Sequence, residues 1–354
     1  MEKNTYSMKE LLINAIKNGA SDLQVTVGVP PVFKIRGEWQ YVGEKELEPE
    51  DTKRLVRELF PNDETFNAFL AVGDKDFSLS ISKMGRFRVN TFIQRGSLAA
   101  AIRLVFTELP NPKDLLIPDS VLQLHKLNKG LVLVTGPTGS GKSTTLSCII
   151  DLINSTRKCH ILTLEEPIEY LHEHKLSVVN QREIGQDTQS YARALKAALR
   201  ESPDVILVGE MRDLETISIA MTAAETGHLV LSTLHTLGAS KSIDRIIDVF
   251  PPNQQHQIRM QLSTVLKAVI SQQLIPSEKR GRVAAFEVMC SNNAIQNLIR
   301  ENKTYQIDSV IHSGKNYGMK SMDNDISELY KEGYITREDA LLYSLNPDVL
   351  LKYL

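Results

Sequence analysis

Gly136-Pro-Thr-Gly-Ser-Gly-Lys142-Ser143 is the stretch of sequence that decides the fold. It follows the aliphatic run Leu131 to Val134 and leads into a segment compatible with a helix, Thr144 to Asn154. A strand, a glycine-rich loop and a helix in this order indicate a phosphate-binding P-loop. The glycines let backbone N–H groups turn toward a polyphosphate, and the helix N-terminus adds partial positive charge. Lys142 is expected to reach the β- and γ-phosphates and Ser143 to hold Mg²⁺, which predicts nucleotide binding. The predicted nucleotide-binding residues are Gly136, Pro137, Thr138, Gly139, Ser140, Gly141, Lys142, Ser143 and Thr144.

The composition is that of an ordinary globular protein. The 354 residues exceed one average domain, and 42% are hydrophobic and 24% charged. There is no run of about 18 apolar residues and no apolar N-terminal signal segment, and the three cysteines form no C-x-x-C pair. We therefore expect a cytoplasmic protein without a metal cage. A net charge of -2 and a pI near 6.5 argue against a protein that wraps nucleic acid, so no nucleic acid partner is expected.

The pattern before the P-loop predicts a small α+β domain over residues 1–107. Its predicted elements are a helix over Met8 to Ile16, alternating strands between Leu23 and Ile35, a helix around Thr52 to Leu59, and strands near Asp76 to Ser82, Arg86 to Ile93 and Ser97 to Phe106. Prolines punctuate the next segment, residues 108–118, which we interpret as a linker that acts as a hinge.

Residues 119–354 are predicted to form an α/β nucleotide-binding domain. Short apolar strands alternate with helices, and continuous apolar strands are typical of a parallel sheet covered on both faces. The predicted strands are His160 to Leu164, Val205 to Val208 and Leu229 to Leu231, and the helices between them include Tyr191 to Arg200 and Leu214 to Thr226. The tail from Thr264 to Leu354 is predicted to be mostly helical, with one extended segment, Arg282 to Met289.

Two acidic residues follow predicted strands of this sheet. Because ligands gather at the carboxyl ends of parallel strands, Glu165 and Glu210 are expected to point toward the P-loop. We assign Glu210 to the metal shell and Glu165 to the positioning or deprotonation of water. The alternative is that these carboxylates cap helices or pair with nearby cations.

Histidines flank another predicted strand. His228 and His235 enclose the run Leu229 to Thr233, and an imidazole near neutral pH can donate or accept a hydrogen bond. Each is therefore a candidate site residue, and a structural role is the alternative.

The last strands of the first domain carry four arginines: Arg86, Arg88, Arg95 and Arg103. If that domain faces the nucleotide of a neighbouring subunit, Arg88, Arg95 or Arg103 would be able to act as arginine fingers on the transferred phosphate. The alternative is a solvated basic face.

Longer stretches of the chain resemble the PilT-type retraction ATPases of type IV pili, within the secretion ATPases. The P-loop segment GPTGSGKSTTL is one part of this resemblance. In addition, ILTLEEPIEY resembles the family's Asp box, LRESPDVILVGEMRD resembles its atypical Walker B motif, and TGHLVLSTLHT resembles its His box. RFRVNTFIQRG and ISELYKEGYITREDAL extend the resemblance over nearly the whole chain.

This resemblance implies a PAS-like N-terminal domain, a RecA-like ATPase core and a homo-hexamer that hydrolyses ATP with Mg²⁺ to power pilus retraction. The implied partners are an inner-membrane pilus platform protein and the paired assembly ATPase, which places the protein at the inner face of the cell membrane. It also implies Glu165 as catalytic carboxylate, Glu210 and Ser143 on the metal, His228 and His235 near the γ-phosphate, and N-terminal arginines acting across the subunit interface.

Two positions depart from the family pattern. Glu166 stands where the Asp box usually has aspartate, and Gln296 replaces the first arginine of the AIRNLIRE helix, a motif associated with retraction. Because the AIRNLIRE motif is associated with retraction, the change at Gln296 is expected to affect the force produced by the motor more than the hydrolysis of ATP. Alternatives are an assembly or type II secretion ATPase, a ring-shaped nucleic-acid translocase, and a nucleotide-gated scaffold that does not hydrolyse ATP.

Overall fold

The computed structural model describes residues 6–35, 37–81, 84–105 and 109–351. The chain forms two compact units: Met1–Glu108 with Pro167–Leu171, and Leu109–Glu166 with His172–Leu354. Residues 106–108, which the sequence assigned to the end of a strand and the start of the linker, lie outside the described residues, as does Ser82.

In its described residues, the first unit contains a six-stranded antiparallel sheet and three helices. The strands are β1 (Ala20–Val25), β2 (Val32–Ile35), β3 (Glu38–Tyr41), β4 (Asp74–Ile81), β5 (Gly85–Gln94) and β6 (Ser97–Val105), and the helices are α1 (Met8–Lys17), α2 (Pro49–Arg57) and α3 (Asp63–Val72). The sheet order is β3-β2-β1-β6-β5-β4. Strand β3 and helix α3 were not predicted, although Asn62 before α3 is a typical N-cap and accepts from the Thr65 N–H at 2.9 Å.

The second unit is built on a seven-stranded sheet. Its strands are β7 (Gly130–Thr135), β8 (His160–Glu165), β9 (Val178–Glu183), β10 (Val205–Val208), β11 (Leu229–Leu234), β12 (Leu266–Ser277) and β13 (Gly281–Cys290). The order is β13-β12-β7-β11-β10-β8-β9, and every neighbouring pair is parallel except β12 and β13.

Helices cover both faces of this sheet, as the continuous apolar strands predicted. They are α4 (Asp119–Leu122), α5 (Lys142–Thr156), α6 (Tyr191–Ala198), α7 (Leu214–Glu225), α8 (Ala239–Asp248), α9 (Pro252–Val265), α10 (Asn293–Arg300), α11 (Ile307–Ser313), α12 (Met322–Lys331), α13 (Arg337–Tyr343) and α14 (Pro347–Leu350). Successive side chains of β7 enter different cores: Leu131 and Leu133 pack in one, Val132 and Val134 in the other. No described helix has the length and apolar character needed to cross a bilayer.

The prediction of a mostly helical tail was wrong over the first part of the tail. Residues Leu266–Ser277 form β12, which pairs with β7 on one side and β13 on the other. Most of the strand is buried, so it lacks the alternation that marks a half-exposed strand. From Asn293 onward the described tail is mainly helical, as predicted, and its Lys320 forms an isolated β-bridge with Val288.

The parallel registers align the strand ends that carry the candidate site. Val205 of β10 lies beside Leu229 of β11 and Ile161 of β8, and Leu229 lies beside Gly130 of β7. All four strands therefore end at the same edge of the sheet, where the P-loop leaves β7.

Candidate nucleotide-binding site

The P-loop has the backbone shape that its glycines predicted. Gly136 leaves β7 with φ 144°, and Gly141 has φ 88° as the residue directly before α5. L-amino acids with side chains rarely adopt these angles, so the loop depends on glycine at both positions. Helix α5 begins at Lys142, and its first N–H groups provide an anion-binding end.

Two polar groups inside the loop suit a phosphate ligand. The buried Lys142 ammonium donates to the carbonyl oxygens of Gly136 at 2.9 Å and Pro137 at 3.0 Å. The Ser140 hydroxyl is buried and has no hydrogen-bond partner among the described residues. A buried cation and a buried unsatisfied hydroxyl both gain from an added acceptor.

His235 connects the loop to the acidic side of the site. Its Nδ1 lies 3.2 Å from the Thr138 hydroxyl and its Nε2 lies 3.2 Å from Oε2 of Glu210. Because an ionised carboxylate only accepts, Nε2 carries a hydrogen; in the neutral ring, Nδ1 then accepts from Thr138. One imidazole therefore spans the gap between the P-loop and the carboxylate that follows β10.

Glu210 is held as a carboxylate. Burial favours its neutral form, but a hydrogen bond from Arg212 and the charge of His235 outweigh it, so the pKa of Glu210 lies below its usual range. Nη2 of Arg212 contacts Oε2 of Glu210 at 2.6 Å and approaches Glu166 at 3.9 Å. Sequence reasoning did not single out Arg212, although it follows Glu210 by two residues in the strand-end motif.

Glu165 ends β8 and is oriented by its neighbours. Its Oε1 accepts from the Thr163 hydroxyl at 2.6 Å and from the Gln181 amide at 3.2 Å. Gln181 lies on β9, a strand that was not predicted, so this support was missed. A half-buried carboxylate held by two neutral donors can still accept a proton from water.

Tyr191 is a further residue that the sequence did not mark as part of the site. It begins α6, and burial together with the charges of Glu166, Glu165 and Glu210 raises its pKa. A phenol in these surroundings stays protonated and remains a hydrogen-bond donor at neutral pH.

The oxygen ligands present fit a magnesium ion. The Ser143 hydroxyl lies in the first turn of α5, and hydroxyl and carboxylate oxygens are the ligands that Mg²⁺ prefers. Arg212 and His235 both contact Oε2 of Glu210, so among the described contacts Oε1 is the oxygen left for a metal. No group of three or more His, Cys, Asp or Glu side chains in the described part of the chain is arranged to hold a metal by itself.

A cavity of about 160 Å³ adjoins the start of α5. Its lining includes Gly141, Thr144 and Thr145 together with apolar and basic side chains such as Leu274 and Arg282. Such a mixed, partly apolar lining suits a flat heteroaromatic ring beside the phosphate loop.

The structure does not bring His228 to this site. His228 precedes β11 and its Nδ1 lies 2.9 Å from the carbonyl oxygen of Ala223, whereas His235 follows the same strand. Six strand residues lie between the two histidines, and seven steps of about 3.3 Å each separate them by roughly 20 Å. The predicted contact of His228 with the γ-phosphate is therefore not supported within one chain. Thr233, near the carboxyl end of the same strand, donates its hydroxyl to the Gly209 carbonyl at 2.5 Å.

The predicted arginine fingers all lie in the first unit. Arg88 and Arg103 are direct partners on β5 and β6, and Arg95 is exposed in the turn between these strands with φ 49°. Arg103 pairs with Asp22 at 2.9 Å and remains largely exposed. Their action on a nucleotide stays a prediction.

Residues 51–341 match the family model described as Type II/IV secretion system protein. The chain belongs to this family. A Pseudomonas aeruginosa member, the type IV pilus retraction ATPase PilT, is 46% identical over 331 residues, which cover 94% of this chain and 96% of that protein. A twitching motility protein of Neisseria gonorrhoeae is 46% identical over 337 residues, or 95% of this chain and 90% of that protein.

A solved structure of a secretion-family member has the same fold. It is the pilus retraction motor PilT with bound ADP, which matches with a TM-score of 0.90 at 48% identity and covers 98% of this chain and 99% of that chain. This match confirms the predicted fold class, α/β with a RecA-like P-loop ATPase core and a smaller PAS-like N-terminal domain, and the resemblance to the retraction ATPases.

Proposed function

We propose that the chain is a cytoplasmic, Mg²⁺-dependent ATPase that works as a homo-hexamer to power type IV pilus retraction. The observation that carries the ATPase assignment is the position of His235. Its imidazole contacts Thr138 of the P-loop through Nδ1 and the Glu210 carboxylate through Nε2. The biological role is supported by relatives named as a pilus retraction ATPase and a twitching motility protein.

In the proposed reaction, the P-loop N–H groups and Lys142 bind the phosphates of ATP. Ser143 and Glu210 would hold Mg²⁺, which would neutralise charge on the phosphates when bound. Glu165, oriented by Thr163 and Gln181, accepts a proton from the attacking water.

The motor is completed by neighbouring copies. Arg88, Arg95 or Arg103 of an adjacent subunit supplies positive charge to the transferred phosphate, which is worth ~10³–10⁵ in rate. Rotation about residues 108–118 is the working stroke. The proposed partners are an inner-membrane pilus platform protein and the paired assembly ATPase, which place the hexamer peripherally at the inner face of the cell membrane.

The catalytic assignment is tested by Glu165→Gln. The variant should bind ATP with the affinity of the unchanged protein but release no phosphate. Glu173→Gln, which removes an exposed carboxylate eight residues further along, is the matched control and should hydrolyse ATP normally. Full turnover in Glu165→Gln would refute the role of this carboxylate.

The biological assignment is tested in cells. Deletion of the gene should leave more surface pili and less surface movement, whereas loss of pili would indicate an assembly motor. Stimulation of ATP hydrolysis by DNA would favour a nucleic-acid translocase instead.

A further inference from the structure

The glutamine at position 272 contacts the P-loop from the neighbouring strand. Register pairs Ser271 of β12 with Thr135 of β7, so Gln272 arrives beside the first residue of the loop. Gln272 as a whole is 3% exposed. Nε2 donates to the Ser140 carbonyl oxygen at 2.7 Å, and Oε1 accepts from the Thr145 hydroxyl at 2.8 Å. One amide group thus connects the tip of the loop to the first turn of α5.

The glycines of the loop are packed against this same residue. A Cβ atom on Gly136 would collide with the Gln272 carbonyl oxygen, and one on Gly141 would lie 2.9 Å from its Nε2. Gln272 therefore contributes to the requirement for glycine at both positions, because its backbone and side chain occupy the space that a methyl group would need.

The hydrogen bond to Ser140 also fixes the direction of a peptide group. In a trans peptide the C=O and the following N–H point in opposite directions. With the Ser140 oxygen held toward Gln272, the N–H of Gly141 is turned to the other side of the loop. Several N–H groups turned to one side are what a P-loop uses to bind phosphate.

We propose that Gln272 is a positioning residue that holds the Ser140–Gly141 peptide in its phosphate-binding orientation before nucleotide arrives. The proposal rests on the nucleotide site described under the proposed function. If loss of the Gln272 hydrogen bond left the loop in its binding-competent state only a tenth of the time, the apparent affinity for nucleotide would fall about tenfold.

The chain contains a matched control in the next residue. Gln273 is 6% exposed and donates its Nε2 to the Tyr343 carbonyl oxygen at 2.8 Å, away from the loop. Gln272→Met and Gln273→Met therefore remove the same buried amide from the same strand, and each loses a hydrogen bond to a backbone carbonyl. A purely structural role predicts similar effects for the two variants.

The experiment measures ADP binding by titration calorimetry and the melting temperature with and without ADP. Gln272→Met should bind ADP roughly tenfold more weakly and show a smaller ADP-induced rise in melting temperature, while Gln273→Met binds ADP like the unchanged protein.

A second variant, Gln272→Glu, serves if Gln272→Met does not fold. When ionised, its carboxylate can still accept from Thr145 but cannot donate to Ser140, so this variant should also lose affinity for ADP. Unchanged ADP binding in the folded Gln272 variants, or equal loss in Gln273→Met, would overturn the proposal. Failure of the unchanged protein to bind ADP would instead remove the nucleotide site itself.

Discussion

Glu287 should make the stability of this protein depend on pH near neutrality. This carboxyl group lies on β13, is 5% exposed, and accepts from the N–H of Ala239 at the start of α8 at 2.8 Å. Burial raises its pKa from 4.5 to about 7, against the lowering effect of the Ala239 hydrogen bond, and the charge of Asp308 adds to the rise. Glu287 lines a cavity of about 130 Å³ together with Asp308, His312 and Asp323, and the charge of Asp323 also raises the pKa of Glu287.

The size of the effect follows from the gap between the folded and unfolded pKa values. An acid whose pKa is higher in the folded state binds its proton more tightly there. Its contribution to stability is therefore fully present below pH 4.5 and is lost as the pH rises through about 7. A gap of about 2.5 pKa units at about 1.36 kcal/mol each gives at most about 3.4 kcal/mol, or roughly 7 °C in melting temperature for a domain of about 240 residues.

Glu287→Gln removes the titrating group and keeps an oxygen that can accept from Ala239. Thermal unfolding followed by circular dichroism at pH 5, 6, 7 and 8 should show the variant gaining stability relative to the unchanged protein as the pH rises. Glu278→Gln, in the exposed turn between β12 and β13, corrects for the change in net charge. If the difference in melting temperature between Glu287→Gln and the unchanged protein is the same at pH 5 and pH 8, the carboxyl group does not lose its proton in this range and the reasoning fails.

Three other substitutions test separate contacts. Gly209→Ala would place Cβ 2.7 Å from the Tyr191 hydroxyl and should lower the free energy of unfolding by about 1–3 kcal/mol in urea titrations. Adding Tyr191→Phe to this variant should recover part of the loss, and no recovery would contradict the clash. Lys320→Met leaves the buried Asp325 without its cation and should destabilise by about 3–5 kcal/mol in the same assay, with a loss below 1 kcal/mol counting against the pair. His235→Ala should lower kcat about a hundredfold while leaving ATP affinity within a fewfold of normal, and an unchanged kcat would exclude the imidazole bridge from catalysis.

Local patterns predicted the centre of the site because its parts are close in sequence or follow a strand. The loop, the start of α5 and the carboxylates after β8 and β10 are each fixed by a few consecutive residues and by the rule that parallel strands end at one edge. Arg212 and Tyr191 follow the same geometry but were missed, since an arginine near a carboxylate or a tyrosine at a helix start is usual on any protein surface.

His228 shows a geometric test that was available from the sequence. Two residues that flank one strand lie at its opposite ends, and Leu229–Leu234 is long enough to keep them roughly 20 Å apart. Only the histidine at the carboxyl end can share an edge with the P-loop of its own chain. Similarity to the family's His box assigns one role to both histidines. The geometry of the strand instead places only His235 at the edge of the sheet where the P-loop begins.

The support of the P-loop from β12 illustrates what local patterns do not reveal. Gln272 is more than a hundred residues from Ser140, and the apolar segment around it lacks the alternation that would have identified a strand. The contact becomes predictable only once β12 is known to run parallel to β7. Because a strand parallel to β7 keeps its register to the end of the pair, the residue that follows the last paired position must arrive where the loop begins. In a sheet of this order, the residue that supports the loop is therefore expected directly after the last paired residue of the adjacent strand. A buried side chain there that has both a donor and an acceptor can form hydrogen bonds with the loop and with the first turn of the helix.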